Sequence, residues 1–334
     1  MRAPDFWYKP ELRLCAAALS PFGALYEVGG RFRFAITRPY VAPVPVICVG
    51  NATAGGTGKT PFAITLAHGL SAIGYAPHIV TRGYGGILKG PTRVDPHHHT
   101  ARQVGDEPLL LAAVAPVWIA KDRRAGVEEA IRAGADIIVM DDGLQNPSVA
   151  KTVSLVLIDG EQGVGNGRVM PAGPLRETLK SCLERADALV IMGKASERTR
   201  GQIENWKGPL FQASLEPDRS APLAGPYIAF AGIARPEKFF ATLDRLGVRL
   251  VERMAFADHH NFSLSEIERL MDRARSRGAK LITTAKDAVR LLPRQRAEIE
   301  VLPVVAVIAA RETFGRFLID RLASARTMTE KVAT

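Results

Sequence analysis

The residues best suited to chemistry lie in one run, Gly50-Asn51-Ala52-Thr53-Ala54-Gly55-Gly56-Thr57-Gly58-Lys59-Thr60-Pro61-Phe62, between the apolar segment Val44–Val49 and a helical pattern. Strand, glycine loop, helix is the order that turns successive backbone N–H groups, and the positive end of a helix dipole, toward one point. Polyphosphate fits such a nest. In the phosphate-loop pattern the lysine reaches the β- and γ-phosphates and the next hydroxyl ligates Mg²⁺, which assigns Lys59 and Thr60. Thr53, Ala54, Gly55, Gly56, Thr57 and Gly58 form the cradle. The pattern has Gly six positions before the Lys, where this chain has Thr53, so the first turn must close differently. ATP or GTP binding is the working premise, against a turn whose glycines only relieve strain.

Further polar groups fall at the ends of apolar runs, where open α/β sheets bind ligands. Ile137–Met140 delivers Asp141 and Asp142, followed by Gly143-Leu144-Gln145-Asn146. Carboxylates at the end of a buried strand need partners to offset desolvation, and Mg²⁺ supplies one. Asp106 and Glu107 open an apolar helix and read either as caps or as base and metal support. Thr81-Arg82-Gly83-Tyr84-Gly85-Gly86 ends another strand, and Lys121-Asp122-Arg123-Arg124 a third, where basic residues suit a phosphate clamp or simply a solvated helix start. Arg176 follows Pro174 at the head of a predicted helix. Asp258-His259-His260 reads as metal ligands, acid–base group or polar cap, the cap being favoured from the residues alone. His97-His98-His99 reads as a solvated loop, since three consecutive side chains cannot comfortably face one ion.

The chain of 334 residues is 47% hydrophobic and 7% aromatic, enough for a full core and about two domains. Its 44 Lys+Arg against 34 Asp+Glu leave a net charge of +10, which suits an anionic partner. The low aromatic content argues against nucleic-acid remodelling. Cys15, Cys48 and Cys182 lack metal-ligand spacing and read as reduced thiols. At least six strands alternate with helices up to about residue 205, predicting a mostly parallel doubly wound sheet. A new α/β pattern begins near Pro226, with strands 281–284 and 304–307 expected to complete a small sheet. The N-terminus carries Leu12, Cys15, Leu19, Phe22 and Tyr26 at helical spacing, flanked by arginines, and no cleavable signal is expected. Its uncharged run, Leu14–Tyr26, is 13 residues with Pro21 inside, short of the roughly 20 needed to span a bilayer. It is expected to lie in a membrane interface, or else to pack on the protein's own core.

The order Gly-Asn…Gly-Gly-Thr-Gly-Lys-Thr-Pro, Arg-Gly-Tyr-Gly, Gly-Asp-Glu, Asp-Asp-Gly-x-Gln, Gly-Asn-Gly-Arg…Pro-Ala-Gly-Pro-Leu-Arg-Glu, Asp-His-His and Thr-x-Lys-Asp-Ala resembles the tetraacyldisaccharide 4'-kinases of lipid A biosynthesis over nearly the whole chain. The resemblance implies transfer of the γ-phosphate of ATP to the 4'-hydroxyl of tetraacyldisaccharide 1-phosphate, giving lipid IVA, by a peripheral enzyme on the cytosolic face of the bacterial inner membrane. The expected fold is α/β: a P-loop NTPase-like doubly wound, mostly parallel sheet with a second, smaller α/β domain. The expected divisions are 1–38 for the membrane-associating helix, 39–220 for the kinase domain and 221–326 for the smaller domain. The family's first-turn Thr matches Thr53, whereas its Asp-Asp-Gly-Phe-Gln-His ends here in Asn146, which removes a sixth-position imidazole. The resemblance further implies a pair between Asp106, as base, and a His of Asp-His-His, expected to be His260 rather than His259. The rest of the expected site is Lys59, Arg124 and Arg176 on phosphate, Thr60, Asp141, Asp142 and Glu107 on Mg²⁺, and Tyr84, Gln145 and His259 on the acceptor. ATP and Mg²⁺ are the expected cofactors; neither nucleic acid nor an obligate protein partner is expected. The alternative is a nucleotide-dependent switch or assembly ATPase. A guanine-specific switch would carry Lys-x-Asp, which occurs nowhere in the chain.

Overall fold

The computed structural model describes residues 4–218 and 223–333. Its strands are β1 (Val46–Asn51), β2 (Pro77–Thr81), β3 (Thr92–Arg93), β4 (Val117–Ile119), β5 (Ile137–Asp141), β6 (Val153–Asp159), β7 (Ala188–Met192), β8 (Leu210–Pro217), β9 (Pro226–Ala231), β10 (Arg249–Ala255), β11 (Lys280–Thr284), β12 (Glu300–Leu302) and β13 (Val304–Ile308). They form a nine-stranded sheet in the order β13-β8-β7-β6-β1-β5-β2-β4-β3 and a four-stranded sheet in the order β10-β9-β11-β12. Seven central strands of the large sheet run parallel, with β3 and β13 antiparallel at its edges. Strands β1, β5, β6 and β7 are buried along their whole length. That agrees with their unbroken Val/Ile/Leu runs, because helices cover both faces of a parallel sheet. One face packs on the helix Lys59–Ala72 through Phe62, Leu66 and Leu70, the other on Arg123–Arg132 through Val127 and Ala130. β1 lies between β5 and β6, so the phosphate loop and Asp141 leave the sheet side by side.

The expectation that 304–307 completes the small sheet is corrected. Pro303, without an N–H, separates β12 from β13, and β13 instead pairs with β8, Val304 opposite Pro217 and Ile308 opposite Ala213. The helix after it, Arg311–Ala333, buries Phe314, Leu318 and Leu322 against Phe62 and Phe211, which covers apolar surface that the large sheet would otherwise expose. The expected boundary at 220/221 lies outside the described residues.

The N-terminal helix runs from Arg13 to Ile36, through Pro21, and buries only Ala16 and Gly23. A Cβ on Gly23 would stand 2.8 Å from the Val169 carbonyl oxygen, so glycine permits this approach. Leu14, Phe22, Leu25, Phe32 and Ile36 share one exposed face, with Leu14 79% and Leu25 71% exposed. Among the described residues no helix is long and apolar enough to cross a membrane.

Ion pairs tie the sheets together. Arg290, whose side chain is 2% exposed, donates from Nε and Nη2 to Asp106 Oδ2 at 2.9 and 2.5 Å and from Nη1 to Asp287 Oδ1 at 2.9 Å. Arg235 pairs with Asp159 at the end of β6. Burial pushes the Asp106 pKa up, but the bonds from His259 and Arg290 outweigh it and hold the carboxyl at about 2. A carboxyl whose folded pKa is depressed stabilises the fold above its unfolded pKa. That stability, roughly 2 kcal/mol, drains away as pH falls from about 4 to about 2. Replacing Arg290 with Met should lower stability at neutral pH by about 3 kcal/mol or more, by stranding a buried carboxylate, and should flatten this acid limb. Urea unfolding at pH 7 and pH 3 checks both; an unaltered neutral-pH midpoint would remove the pair from the account.

Candidate active site between the two sheets

The phosphate loop closes without a first glycine because Asn51, fully buried at the end of β1, holds it with its side chain. Asn51 Nδ2 donates to Thr53 O at 2.5 Å, while Oδ1 accepts from Lys59 Nζ at 3.0 Å. Segment 174–176 braces the same turn from outside: Thr53 bridges Leu175, Ala54 N donates to Pro174 O at 2.7 Å and Arg176 N to Ala52 O at 3.0 Å. Gly58, at φ +83°, then starts the helix on Lys59. Burial lowers the Lys59 pKa, and Asp142, 3.7 Å away, opposes that shift.

Asp141 and Asp142 differ in environment. Asp142 takes a left-handed backbone, φ +55°, and accepts from Arg176 Nη1 at 2.7 Å. Burial raises its pKa, but Lys59 and Arg176 more than offset this and keep it ionised. Asp141 is pushed up to about 7 by burial and by the Asp142 charge, with Glu107 adding to the same effect. Asp141 Oδ1 and Glu107 Oε2 are buried with no hydrogen-bond partner among the described residues. Hard, unsatisfied carboxylate oxygens beside a phosphate loop suit Mg²⁺, which is usually held by one or two carboxylates together with substrate phosphates. Among the described residues no group of three or more His, Cys, Asp or Glu side chains is placed to hold a metal ion.

Asp106, at the start of the helix Asp106–Leu111, meets the second sheet. Its partner is His259, which lies at φ +58° and places Nδ1 2.8 Å from Asp106 Oδ2. The expected preference for His260 is thereby corrected. His260 points into the small unit, where Nε2 pairs with Glu266 Oε1 at 3.1 Å and the ring packs between Phe256 and Phe262. Lys286 Nζ lies 3.2 Å from His259 Nε2 and 2.8 Å from Glu107 Oε1, and the exposed Tyr84 ring sits edge-on to His259.

Arg124 is also corrected. Asp122 caps the helix by accepting from Arg124 N at 3.0 Å, and the Arg124 side chain turns outward to Glu128 and over the Tyr40 ring. Arg123, one residue earlier, is buried instead; desolvation lowers its pKa to about 10, with Asp142 and Asp141 opposing. Gln145 Nε2 donates to Asn51 O at 3.2 Å and Glu177 Oε1 at 3.0 Å, which makes it a brace of the loop. Asn146 accepts from Ser148 N and Oγ at 2.9 and 2.6 Å and caps a local turn. His98 pairs with Asp95 in an exposed loop, as expected. Reading the sequence chose Arg124 over its neighbour Arg123 and passed over Lys286 and Arg290. Arg290 follows Asp287 by three residues, a spacing that puts both on one side of a helical turn, and this was the available signal.

Comparison with known proteins gives a consistent result. Residues 15–323 match the family model of LpxK, tetraacyldisaccharide-1-P 4'-kinase. The tetraacyldisaccharide 4'-kinase of Parvibaculum lavamentivorans is 52% identical over 297 residues, 87% of each chain. That of Rhodospirillum centenum is 48% identical over 326 residues, covering 95% of this chain and 96% of the relative. Among solved structures, LpxK from Aquifex aeolicus in complex with ATP superposes with a TM-score of 0.72 at 27% identity, covering 92% of this chain and 99% of that one. By the match over residues 15–323 and the identity to these relatives, the chain belongs to the tetraacyldisaccharide-1-P 4'-kinase family.

Proposed function

We propose that the chain transfers the γ-phosphate of ATP to the 4'-hydroxyl of tetraacyldisaccharide 1-phosphate, forming lipid IVA, at the cytosolic surface of the inner membrane. The observation that carries this reading is the meeting of a nucleotide site on one sheet with an Asp–His pair spanning to the other. A nucleotide switch has no use for that pair.

Phosphoryl transfer is chiefly positioning and charge stabilisation. Lys59 would leave Asn51 and Asp142 for the β- and γ-phosphates, while Arg176 and Arg123 supply positive charge where the transferred group passes. Asp141, Glu107 and Thr60 would hold Mg²⁺, which neutralises phosphate charge when bound. Asp142, gripped by Arg176, keeps that guanidinium in place. Among the described residues the three side-chain bonds to Asp106 all fall on Oδ2, which leaves Oδ1 to accept the acceptor hydroxyl's proton. A carboxylate of such low basicity serves because the loose transition state needs the proton removed only as the oxygen bonds to phosphorus. His259 orients Asp106, and Tyr84 lies over the acceptor's approach. The exposed face of the N-terminal helix, with Arg13, Arg31 and Arg33, would rest on the anionic bilayer.

Incubation with labelled ATP and tetraacyldisaccharide 1-phosphate should yield a labelled, doubly phosphorylated lipid. Lys59→Ala should lose on the order of 10²-fold or more in kcat, and Asp141→Asn should raise the Mg²⁺ needed for half-maximal turnover. ATP hydrolysis with no labelled lipid would favour the switch reading. For the pair, Asp106→Asn should keep ATP affinity but lose on the order of 10²-fold in kcat. His259→Ala should lose less, and the double variant should be clearly non-additive. Additive losses, or a larger effect from His260→Ala than from His259→Ala, would break the assignment. Deletion of residues 1–38 should release the protein from anionic vesicles, and salt should weaken the intact chain's binding. Retained binding by the deletion would move the membrane contact elsewhere.

A further inference from the structure

An ammonium group lies between the proposed base pair and a proposed metal ligand. Lys286 sits on the short helical turn Ala285–Ala288 after β11, and that turn is pinned on both sides. Thr284 caps it, accepting from Asp287 N at 3.1 Å, and the fully buried Asp287 accepts from Gly232 N at 3.1 Å and from Arg290 Nη1 at 2.9 Å. With the backbone fixed, the flexible stem of Lys286 is the part left to move. Its Nζ reaches Glu107 Oε1 at 2.8 Å on one side and His259 Nε2 at 3.2 Å on the other. An ammonium only donates and an ionised carboxylate only accepts. His259 therefore carries its ring proton on Nδ1, donating to Asp106 Oδ2, while Nε2 accepts from Lys286.

Glu107 and Asp258 compete for this ammonium. Glu107 holds it in the structure, yet Glu107 Oε2 and Asp141 Oδ1 are buried without a hydrogen-bond partner among the described residues, which suits them to Mg²⁺. A metal ion and an ammonium cannot share one carboxylate without like-charge repulsion at short range. Asp258 offers the ammonium another place. Its Oδ1 is buried, has no hydrogen-bond partner among the described residues, and stands 4.0 Å from the same His259 Nε2. A buried carboxylate oxygen left unpaired is costly unless a cation reaches it. The turn bearing Asp258 and His259 is itself held, His259 N donating to Gly232 O at 3.0 Å and His260 N to Ala257 O at 3.1 Å, so carboxylate and imidazole are presented together.

We propose that Lys286 is a positioning residue with two stations: on Glu107 while that carboxylate holds no metal, and on Asp258 once it does, staying against His259 Nε2 in both. The inference rests on the function proposed above and names how its metal site and its base are coordinated. In the first station the ammonium takes the place of the metal's charge, which opposes entry of the metal without the nucleotide phosphates that would help to hold it. In the second it no longer divides its donors between Glu107 and the ring. His259 is then steadied against Asp106 by an ammonium committed to the small sheet, and this happens only when Glu107 has a metal to hold.

The probe is Mn²⁺, which takes the same oxygen ligands as Mg²⁺ and is paramagnetic. Its binding to the full chain in neutral detergent micelles, without nucleotide or lipid acceptor, is followed by electron paramagnetic resonance. Lys286→Met should tighten Mn²⁺ binding by about tenfold, because a neighbouring unit charge is gone, and should do nothing in a Glu107→Gln background. Asp258→Asn should weaken Mn²⁺ binding by about threefold or more while Lys286 is present, since the displaced ammonium has lost its second station, and should have no effect once Lys286 is Met. A mere brace between the sheets would not give effects of opposite sign that depend on each other. In turnover at saturating Mg²⁺, Lys286→Met should lose about tenfold in kcat with KM for ATP nearly unchanged. Unchanged or weaker Mn²⁺ binding by a Lys286→Met chain of normal melting temperature overturns the competition, and an Asp258→Asn effect that persists without Lys286 overturns the second station. Should Lys286→Met melt early, Asp258→Asn decides alone, because the ion pairing of Asp258 is confined to its neighbour His259: weaker Mn²⁺ binding supports the proposal and unchanged binding overturns it. If the intact chain phosphorylates no lipid, the proposed function fails, and the Mn²⁺ measurements still decide whether Lys286 changes partner.

Discussion

A guanidinium with 2% of its side chain exposed cannot stay charged in a protein interior without carboxylates around it, and Arg290 has two. One, Asp287, comes from its own turn; the other, Asp106, comes from the large sheet. The small sheet is therefore held against the large one by a charge that would be stranded if they parted. Asp106 gains from the same bond a fixed orientation, and its remaining oxygen is left free. Lys286 to Glu107 and Arg235 to Asp159 repeat the arrangement at either side, each with the cation on the small sheet and the anion on the large one. Electrostatic closure and assembly of the reacting groups are thus one event.

The nucleotide side follows a complementary logic. The loop lacks its first glycine, and the missing freedom is replaced by an external scaffold: an asparagine amide from within and a backbone bridge from 174–176 without. Arg176 belongs to that bridge and also grips Asp142, so the residues that shape the loop also set the charge beside it. Asp141 and Asp142, adjacent in sequence, are driven apart in acidity because only one of them meets cations directly. Pairs of titratable groups split in this way mark sites where one group binds and the other waits for a ligand.

What could be read from residue order was what depends on short stretches of chain. The strand–loop–helix around Lys59, the buried runs ending in Asp141, and Asp106 at a helix start all came through, because periodicity and end chemistry are local. Choices between neighbours did not. Whether Arg123 or Arg124 faces the site is decided by where Asp122 caps the helix. His259 displaces His260 because a left-handed backbone at 259 swings its ring outward, a conformation that a non-glycine residue seldom adopts and no pattern announces. Arg290 stayed hidden because its partner is 184 residues away. β13 was misplaced because its apolar run suits either sheet, and only the open edge of β8 and the helix behind it select one.

That last placement shapes how the molecule comes into being. β13 and the helix Arg311–Ala333 belong to the large sheet, yet they follow the whole of the small one in the chain. A ribosome would therefore release the small sheet's strands before the large sheet had its final edge or the phenylalanine that covers Phe62. The part begun first is completed last. Until then β8 is an unpaired edge beside an uncovered apolar face, the kind of surface that invites misassociation. The nascent chain's period of greatest vulnerability accordingly lasts until β13 and the helix behind it have emerged.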